Sequence, residues 1–183
     1  MFKFVSLAKI KLTIKPMEEI INRVANSSLK TIDLEDFYPK QEILTLDINT
    51  WLYKGLILKE KDFREALKVY NWELFKGKYV VLTNENEAIL PSWAFLLVST
   101  YLNKLAIKTI IGSCPNDMLV LLYSEIIDAL SLDEYKNERV ILKGCAKKPV
   151  PTNAYIFLME KLQPFAKSIM YGEACSTVPL TKS

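Results

Sequence analysis

Histidine is absent from this chain of 183 residues. Ser-His-Asp and Cys-His catalytic sites need an imidazole base, and histidine is a standard nitrogen ligand of zinc. The sequence therefore excludes both kinds of catalytic site, and any histidine metal site, within the chain itself. General acid–base chemistry would fall to Asp, Glu, Lys, Tyr or Cys side chains. No reaction follows from this composition, so we make no prediction of an enzymatic activity.

The chain also lacks a strong overall charge. Its net charge is +3, and Lys3, Lys9, Lys11 and Lys15 account for four of the 24 basic residues, which leaves 20 against 21 acidic ones. A dedicated nucleic-acid binder is expected to carry a clear excess of positive charge. We therefore predict no nucleic-acid partner.

Long apolar runs are missing as well. A membrane-spanning helix needs about 20 apolar residues, and a signal peptide needs an uninterrupted apolar core of about 7–15. Lys9 and Lys11 interrupt the only basic, apolar stretch near the start. We predict no membrane span and a cytoplasmic location. Residues 1–16 are expected to be a disordered tail or to precede a true start at Met17, with a weak membrane-surface segment as the alternative.

Short apolar segments alternate with helical patterns along the rest of the chain, which indicates an α/β fold. We predict an open, mainly parallel, three-layer sheet built by βα repeats over residues 77–183, within one domain of residues 17–183. Residues 17–76 would form an N-terminal edge or cap of mixed α+β structure. The predicted strands are residues 29–34, 43–48, 79–83, 109–112, 140–144 and 168–172, and the predicted helices are residues 61–70, 91–105, 115–130 and 151–162. The polar segment 172–179 is expected to lie across the carboxyl edge of the sheet.

Each of the three cysteines follows a strand-ending glycine within three residues. Cys114 follows Gly112, Cys145 follows Gly144, and Cys175 follows Gly172. If the strands are parallel, the thiols emerge at one edge of one sheet, where open α/β folds bind ligands. An odd count of cysteines does not suit a disulfide framework. The alternative interpretation, which stays open here, is that these cysteines are apolar packing residues.

Cys145 and Cys175 follow consecutive strands, so their thiols are expected on neighbouring strand ends. Such a pair can share a metal ion or the edge of an iron–sulfur cluster, or carry redox chemistry. Lys143, Lys147 and Lys148 would favour the thiolate of Cys145. With Cys114 as a third thiolate, a zinc ion would still need water, a partner or a carboxylate such as Glu173.

The same edge has a second interpretation as a pocket for a small molecule or an anion. Backbone N–H groups at Gly144, before a predicted helix start, can hold an anion, and Lys147 and Lys148 add positive charge. Trp93 and Tyr155 fall in the first turns of two predicted helices at this edge and could form a pocket wall. The acidic run Asp33, Glu35 and Asp36 is interpreted as a solvated turn, with a cation site as the alternative.

Five segments carry a family resemblance: EEIINRVANSSLKTIDLEDFYP (18–39), GLILKEKDFRE (55–65), PSWA (91–94), KGCAKKPVP (143–151) with Ala154 and Tyr155, and SIMYGEACSTVP (168–179). On these segments the chain resembles an uncharacterised family, chiefly from Bacteroidetes, known as domain of unknown function 2480. The family pattern includes thiols at the positions of Cys145 and Cys175 but does not require Cys114. The resemblance implies partners among iron–sulfur assembly proteins and a thiol role in iron or sulfur handling.

Three hypotheses follow for the function. The first is an accessory protein that uses Cys145 and Cys175 to hold zinc, an iron–sulfur cluster or a persulfide. The second is a small-molecule or anion-binding module at the same edge. The third is an interaction protein that docks through residues 29–60 and keeps its cysteines as structural residues. The oligomeric state does not follow from the sequence.

Overall fold

In a computed structural model of the protein, the described residues are 29–144, 147–173 and 176–182. They form seven strands and four α-helices. The strands are β1 Leu29–Ile32, β2 Ile43–Asp47, β3 Tyr79–Thr83, β4 Lys108–Ile111, β5 Arg139–Lys143, β6 Ser168–Glu173 and β7 Ser176–Lys182. The helices are α1 Glu60–Val69, α2 Ser92–Leu102, α3 Pro115–Ala129 and α4 Thr152–Leu162. Short 3-10 helices follow β1 and β2, at Leu34–Phe37 and Ile48–Trp51.

The described strands form two sheets. The first has the order β1-β5-β6-β7, and the second has the order β2-β3-β4. All pairings are parallel except that of β6 with β7, which is antiparallel and contains a register shift between Ile169 and Met170. The predicted α/β fold with mainly parallel strands is therefore confirmed.

Helix α3 packs between the two sheets. Its Met118 and Leu122 contact Val81 in the second sheet, whereas its Tyr123 and Ile127 belong to the core of the first sheet. Met118 and Leu122 lie four residues apart on one face of the helix, and Tyr123 and Ile127 lie four apart on another, as the helical period requires. Helix α4 joins α3 over the first sheet, while α1 and α2 cover the other face of the second sheet.

The two sheets belong to two copies of one structural unit. Strands β3 and β5 have the same length, and their residue numbers differ by 60. Helices α2 and α4 are related in the same way. Buried core positions repeat at the same spacing: Val80 and Val140, Leu82 and Leu142, Ala94 and Ala154, Val98 and Leu158, Leu102 and Leu162, Leu67 and Ile127. Turn hydrogen bonds repeat too, since Gly77 N–H donates to the Leu105 carbonyl and Asn137 N–H donates to the Phe165 carbonyl.

The second unit is inserted into the first along the chain. The first unit begins with β1 and its 3-10 helix, and it resumes only at α3, β5, α4 and β6. Between them lie β2, α1, β3, α2 and β4, which form the whole of the second unit. The insertion explains why β1 pairs with β5, a strand that lies more than 100 residues later in the chain.

Two expectations from the sequence are wrong. β4 belongs to one sheet and β5 and β6 to the other, so the strands preceding Cys114, Cys145 and Cys175 do not end along a single hydrogen-bonded sheet. The C-terminal segment does not cross the carboxyl edge; residues 176–182 extend the sheet sideways as β7. No helix among the described residues is long and apolar enough to cross a membrane.

Candidate functional site

The candidate site is the carboxyl edge of β1, β5 and β6 in the first sheet. Parallel pairing aligns Ile32 with Leu142 and Lys143 with Gly172. The residues that follow the strands therefore leave the sheet side by side, at the edge where α/β proteins bind ligands. Gly144 continues this alignment, because its N–H donates to the Gly172 carbonyl at 3.3 Å.

An ion pair joins the ends of β1 and β5. Lys143 Nζ donates to Asp33 Oδ2, and the side chain of Asp33 is only 18% exposed. The other carboxylate oxygen, Asp33 Oδ1, accepts from Glu35 N–H at 2.9 Å and so caps the 3-10 helix after β1. One carboxylate thus fixes both the turn after β1 and the side chain that ends β5.

The electrostatics of this pair favour both charged forms. Burial raises the pKa of the Asp33 carboxyl, but this is outweighed by the hydrogen bonds from Lys143 and Glu35 and by the charges of Lys143 and Lys148, so its pKa lies below the ordinary value. The hydrogen bond to Asp33 raises the pKa of Lys143 above its ordinary value. The nearby charges of Asp33, Glu173 and Glu35 act in the same direction.

We expect Asp33→Asn to lower the free energy of unfolding at neutral pH by about 1 kcal/mol, the upper end of what an ion pair near the surface contributes, because both partners are partly buried. A carboxyl with a lowered folded-state pKa stabilises the fold above its unfolded pKa of about 3.9, and that contribution is lost as pH falls through the folded pKa. The difference between wild type and variant should therefore be constant from neutral pH to about pH 5 and shrink below about pH 4. Urea unfolding across this range measures it.

Glu60→Gln is the control, since Glu60 pairs with Arg64 on the exposed surface of α1. Its effect should be about 0.3–0.5 kcal/mol. A difference between wild type and Asp33→Asn that is absent at neutral pH, or that grows as pH falls, would contradict the assignment of a stabilising Asp33 carboxylate.

Two tyrosines hold the backbone at the end of β5. The hydroxyl of Tyr155 in α4 donates a hydrogen bond to the Lys143 carbonyl at 3.2 Å, and the hydroxyl of Tyr171 in β6 donates one to the Gly144 carbonyl at 3.4 Å. Their rings meet edge to face, with centroids 5.5 Å apart. A Cβ on Gly144 would lie 2.8 Å from the Tyr171 ring, so glycine is what allows this close approach.

A surface cleft of ≈ 300 Å³ opens beside these tyrosines. It is lined by Gly144, Lys148, Pro149, Val150, Thr152, Tyr155 and Tyr171. The structure thus brings Gly144, Lys148 and Tyr155 together, as the pocket hypothesis requires. Lys147 lies nearby, where its N–H donates to Glu35 Oε2 at 3.0 Å, and Lys148 Nζ lies 5.4 Å from the centre of the Tyr38 ring.

The remaining candidate residues do not line this cleft. Glu173 ends β6 and pairs with Ser176 in β7. Trp93 is not at this edge; it packs in the second unit against Phe63, with ring centroids 6.2 Å apart. Cys145 and Cys175, the two central candidates, lie outside the described residues.

Cys114 lies at the equivalent edge of the second unit. It precedes α3 and is exposed. Asp117 Oδ2 accepts from Ser113 N–H at 2.6 Å and from Cys114 N–H at 3.2 Å, so these groups close the start of α3. Asp47, the counterpart of Asp33, likewise caps the 3-10 helix after β2, but Thr83 stands where the first unit has Lys143. The second edge therefore keeps the carboxylate and lacks its cation.

The described residues alone do not build a metal centre. Within 29–144, 147–173 and 176–182, no group of three His, Cys, Asp or Glu side chains could hold a metal ion. The Asp33 carboxylate at the edge is already committed to Lys143 and Glu35. Zinc or an iron–sulfur cluster at this edge would thus depend on the thiolates of Cys145 and Cys175, the donor type that suits those groups.

Comparison with known proteins identifies the family of this chain. The family model described as Protein of unknown function (DUF2480) matches residues 18–183. The chain belongs to the DUF2480 family. No curated protein and no solved structure matches it. The match confirms the resemblance drawn from the sequence segments, and it carries no statement about activity, cofactor or partner.

Several residues at this edge were not assigned to the candidate site from the sequence. Asp33 and Glu35 were interpreted as a solvated turn, and Tyr38 and Tyr171 were not singled out. The signal that points to Asp33 is its position at the carboxyl end of a strand: Asp33 directly follows β1, and Asp47 is the last residue of β2. That signal becomes useful only once β1 is known to pair with β5, which the sequence pattern did not show.

Proposed function

We propose that this DUF2480 protein uses Cys145 and Cys175 as a thiol pair that handles a soft metal ion, an iron–sulfur cluster or sulfane sulfur. The observation that supports the proposal is the hydrogen bond from Gly144 N–H to the Gly172 carbonyl. It holds together the two chain segments that lead into the cysteines. The pairing of Glu173 with Ser176 closes the second segment on its far side.

Covalent connectivity limits how far the two cysteines can be from Gly144 and Ser176. Cys145 is the residue after Gly144, and Cys175 is the residue before Ser176. Consecutive Cα atoms are about 3.8 Å apart, and neighbouring strands about 4.8 Å. Gly144 follows β5 and Ser176 begins β7, and both of these strands pair with β6. The residues to which the two cysteines are bonded therefore lie on either side of the end of β6, two strand spacings or about 10 Å apart, which supports a shared site.

The charges at this edge support thiolate chemistry. Lysine ammonium groups nearby lower the pKa of a thiol, and Lys143, Lys147 and Lys148 flank Cys145 in the chain. The acids at the edge, Asp33 and Glu35, are engaged by Lys143 Nζ and by Lys147 N–H. These bonds limit the repulsion that the carboxylates would exert on a thiolate.

Two thiolates fit a transfer site better than a structural one. A structural zinc site has four protein ligands, whereas two thiolates leave positions open for water, substrate or a partner's ligand. For sulfur, a thiolate would attack the terminal sulfur of a persulfide donor, form the cysteine persulfide and release the donor as a thiolate. Iron–sulfur assembly proteins remain the proposed partners, on the strength of the family resemblance.

The test is anaerobic purification followed by metal analysis, acid-labile sulfide analysis and visible absorption. We expect wild type and Cys114→Ser to bind one equivalent of metal or cluster, or to carry sulfane sulfur, and Cys145→Ser and Cys175→Ser each to lose it. Two thiol ligands act together, so either single variant should reduce binding by at least about tenfold, which is about 1.4 kcal/mol. Wild type that stays colourless and metal-free with unreactive thiols would exclude the proposal.

The second candidate, an anion-binding module, rests on the cleft beside Lys148 and the start of α4. Of the three lysines at this edge, Lys148 lines the cleft and Lys143 is paired with Asp33, so the cleft offers a free anion less positive charge than the number of lysines suggests. Inorganic phosphate added to the same preparations distinguishes the two. Phosphate binding that survives both serine variants but is lost in Lys148→Ala would favour the anion site over the thiol pair.

A further inference from the structure

The two structural units differ in how the outer edges of their equivalent strands, β6 and β4, are covered. In the first unit, β6 is covered by β7, which pairs with it antiparallel. In the second unit, the equivalent strand β4 pairs only with β3 among the described residues. In the part of the chain that the structure describes, no strand covers the outer edge of β4, and its backbone N–H and C=O groups can pair with an added strand.

The two outer edges also differ in how they are protected. β7 carries Pro179, and its pairing with β6 contains a register shift, both of which discourage addition of a further strand. β4 has neither device. Its one charged side chain, Lys108, is paired with Glu125 of α3. Thr109 Oγ1 is buried and has no hydrogen-bond partner.

A groove with a mixed polar and apolar lining runs beside the outer edge of β4. It has a volume of ≈ 320 Å³ and lies between α2 and β4, lined by Leu82, Phe95, Leu96, Ser99, Asn103, Thr109, Ile110 and Ile111. Ile111 and Leu96 leave 63% and 64% of their surfaces exposed, and Ile107 just before β4 leaves 49% exposed. Burial of such side chains against a partner is favourable, by about 25 cal/mol per Å² of apolar surface.

We propose that β4 pairs antiparallel with β4 of a second copy of this chain, so that the two second sheets form one continuous six-stranded sheet. A two-fold axis makes identical edges antiparallel and self-complementary, and β6 with β7 shows that the equivalent edge accepts an antiparallel strand. Charge does not oppose a second copy, because Lys108 is already neutralised by Glu125 and the whole chain carries only +3. In this dimer, Ile111 and Leu96 of each copy pack against the groove of the other.

Sedimentation equilibrium of the full chain, from about 1 µM to about 200 µM, tests the proposal over a range that brackets micromolar affinity. We expect a dimer that Ile111→Lys and Leu96→Lys each weaken by at least about tenfold, since a buried charge replaces an apolar contact at the centre of the interface. Ile156→Lys is the matched control. Ile156 occupies the position of Leu96 in the first unit and is 50% exposed on α4, so this variant should dimerise like wild type.

Leu96→Lys keeps the test decisive if Ile111→Lys fails to fold, because Leu96 lies on the exposed side of a helix. A monomer at every concentration would overturn the proposal, as would a dimer that both folded variants leave unchanged. Slow hydrogen exchange of the β4 amides in a monomer would also overturn it, because another segment of the same chain would then cover the edge.

Discussion

Tyr123→Ala should lower the free energy of unfolding by about 3–5 kcal/mol, the usual cost of removing a large aromatic side chain from a core. Tyr123 is fully buried in α3, and its hydroxyl donates to the Leu34 carbonyl at 2.8 Å. Burial raises the pKa of this hydroxyl, as do Tyr38, Tyr155, Asp33 and Glu35, so it stays protonated as a donor. The side chain thus ties the helix between the sheets to the turn after β1.

The counterpart of Tyr123 in the second unit supplies a graded comparison. Phe63 occupies the equivalent position in α1 and is also fully buried, so Tyr123→Phe places the second unit's residue in the first. We expect this variant to cost about 1–3 kcal/mol, because the Leu34 carbonyl loses its partner while the core stays filled. Equal losses for Tyr123→Phe and Tyr123→Ala in urea unfolding would contradict the packing role.

Gly172→Ala should destabilise the protein by about 2–4 kcal/mol, the sum of left-handed backbone strain and an overpacked contact. Gly172 has a φ of +129°, and an added Cβ would lie 2.4 Å from the backbone oxygen of Ser176. That oxygen belongs to β7, so the paired strands β6 and β7 would have to move apart. The change would displace the candidate site as well, because Gly172 accepts from Gly144 N–H.

Gly77→Ala is the control for the backbone term alone. Gly77 has a φ of +68°, but nothing lies within 4 Å of an added Cβ. Gly77→Ala should therefore lower the free energy of unfolding only by the cost of backbone strain, about 1–2 kcal/mol. If the two alanine variants have the same free energy of unfolding, the contact between the added Cβ and the Ser176 oxygen costs nothing. That result would contradict the predicted overpacking at Gly172.

Local patterns in the sequence were sufficient to predict most elements. The apolar, β-branched run at Tyr79–Thr83 is a strand with the predicted bounds. Helices that begin at or beside Pro91, Pro115 and Pro151 are confirmed as α2, α3 and α4, because proline suits a first helical turn. These signals are local, so they do not depend on which strands become neighbours.

Pairing between distant strands could not be predicted in the same way. Apolar runs such as residues 79–83 and 140–144 look alike whether they join one sheet or two. The duplication is also hard to recognise in the sequence, since identical residues such as Ala94 and Ala154 are isolated and other equivalent core positions differ, such as Val98 and Leu158. β7 escaped prediction because its residues, including Pro179, are mostly exposed, which weakens the alternating pattern of a strand.

The duplication gives the candidate site a built-in comparison. Asp33 and Asp47 cap equivalent 3-10 helices, yet only the first unit places a lysine at the end of the central strand, followed by glycine and cysteine. Tyr155 and Tyr171 of the first unit correspond to Phe95 and Ile111 of the second. The lysine at the end of the central strand and the two tyrosine hydroxyls are thus found at the first of two similar edges, which distinguishes the first unit from the second.

The most direct test of the thiol pair is mild oxidation of the Cys114→Ser variant with diamide, followed by thiol counting and mass analysis of non-reduced peptides. If Cys145 and Cys175 share one site, both thiols should disappear together from monomeric protein, and one peptide should contain the link between them. Two thiols that remain free, or that react only between separate chains, would contradict a shared site and with it the proposed handling of metal or sulfur.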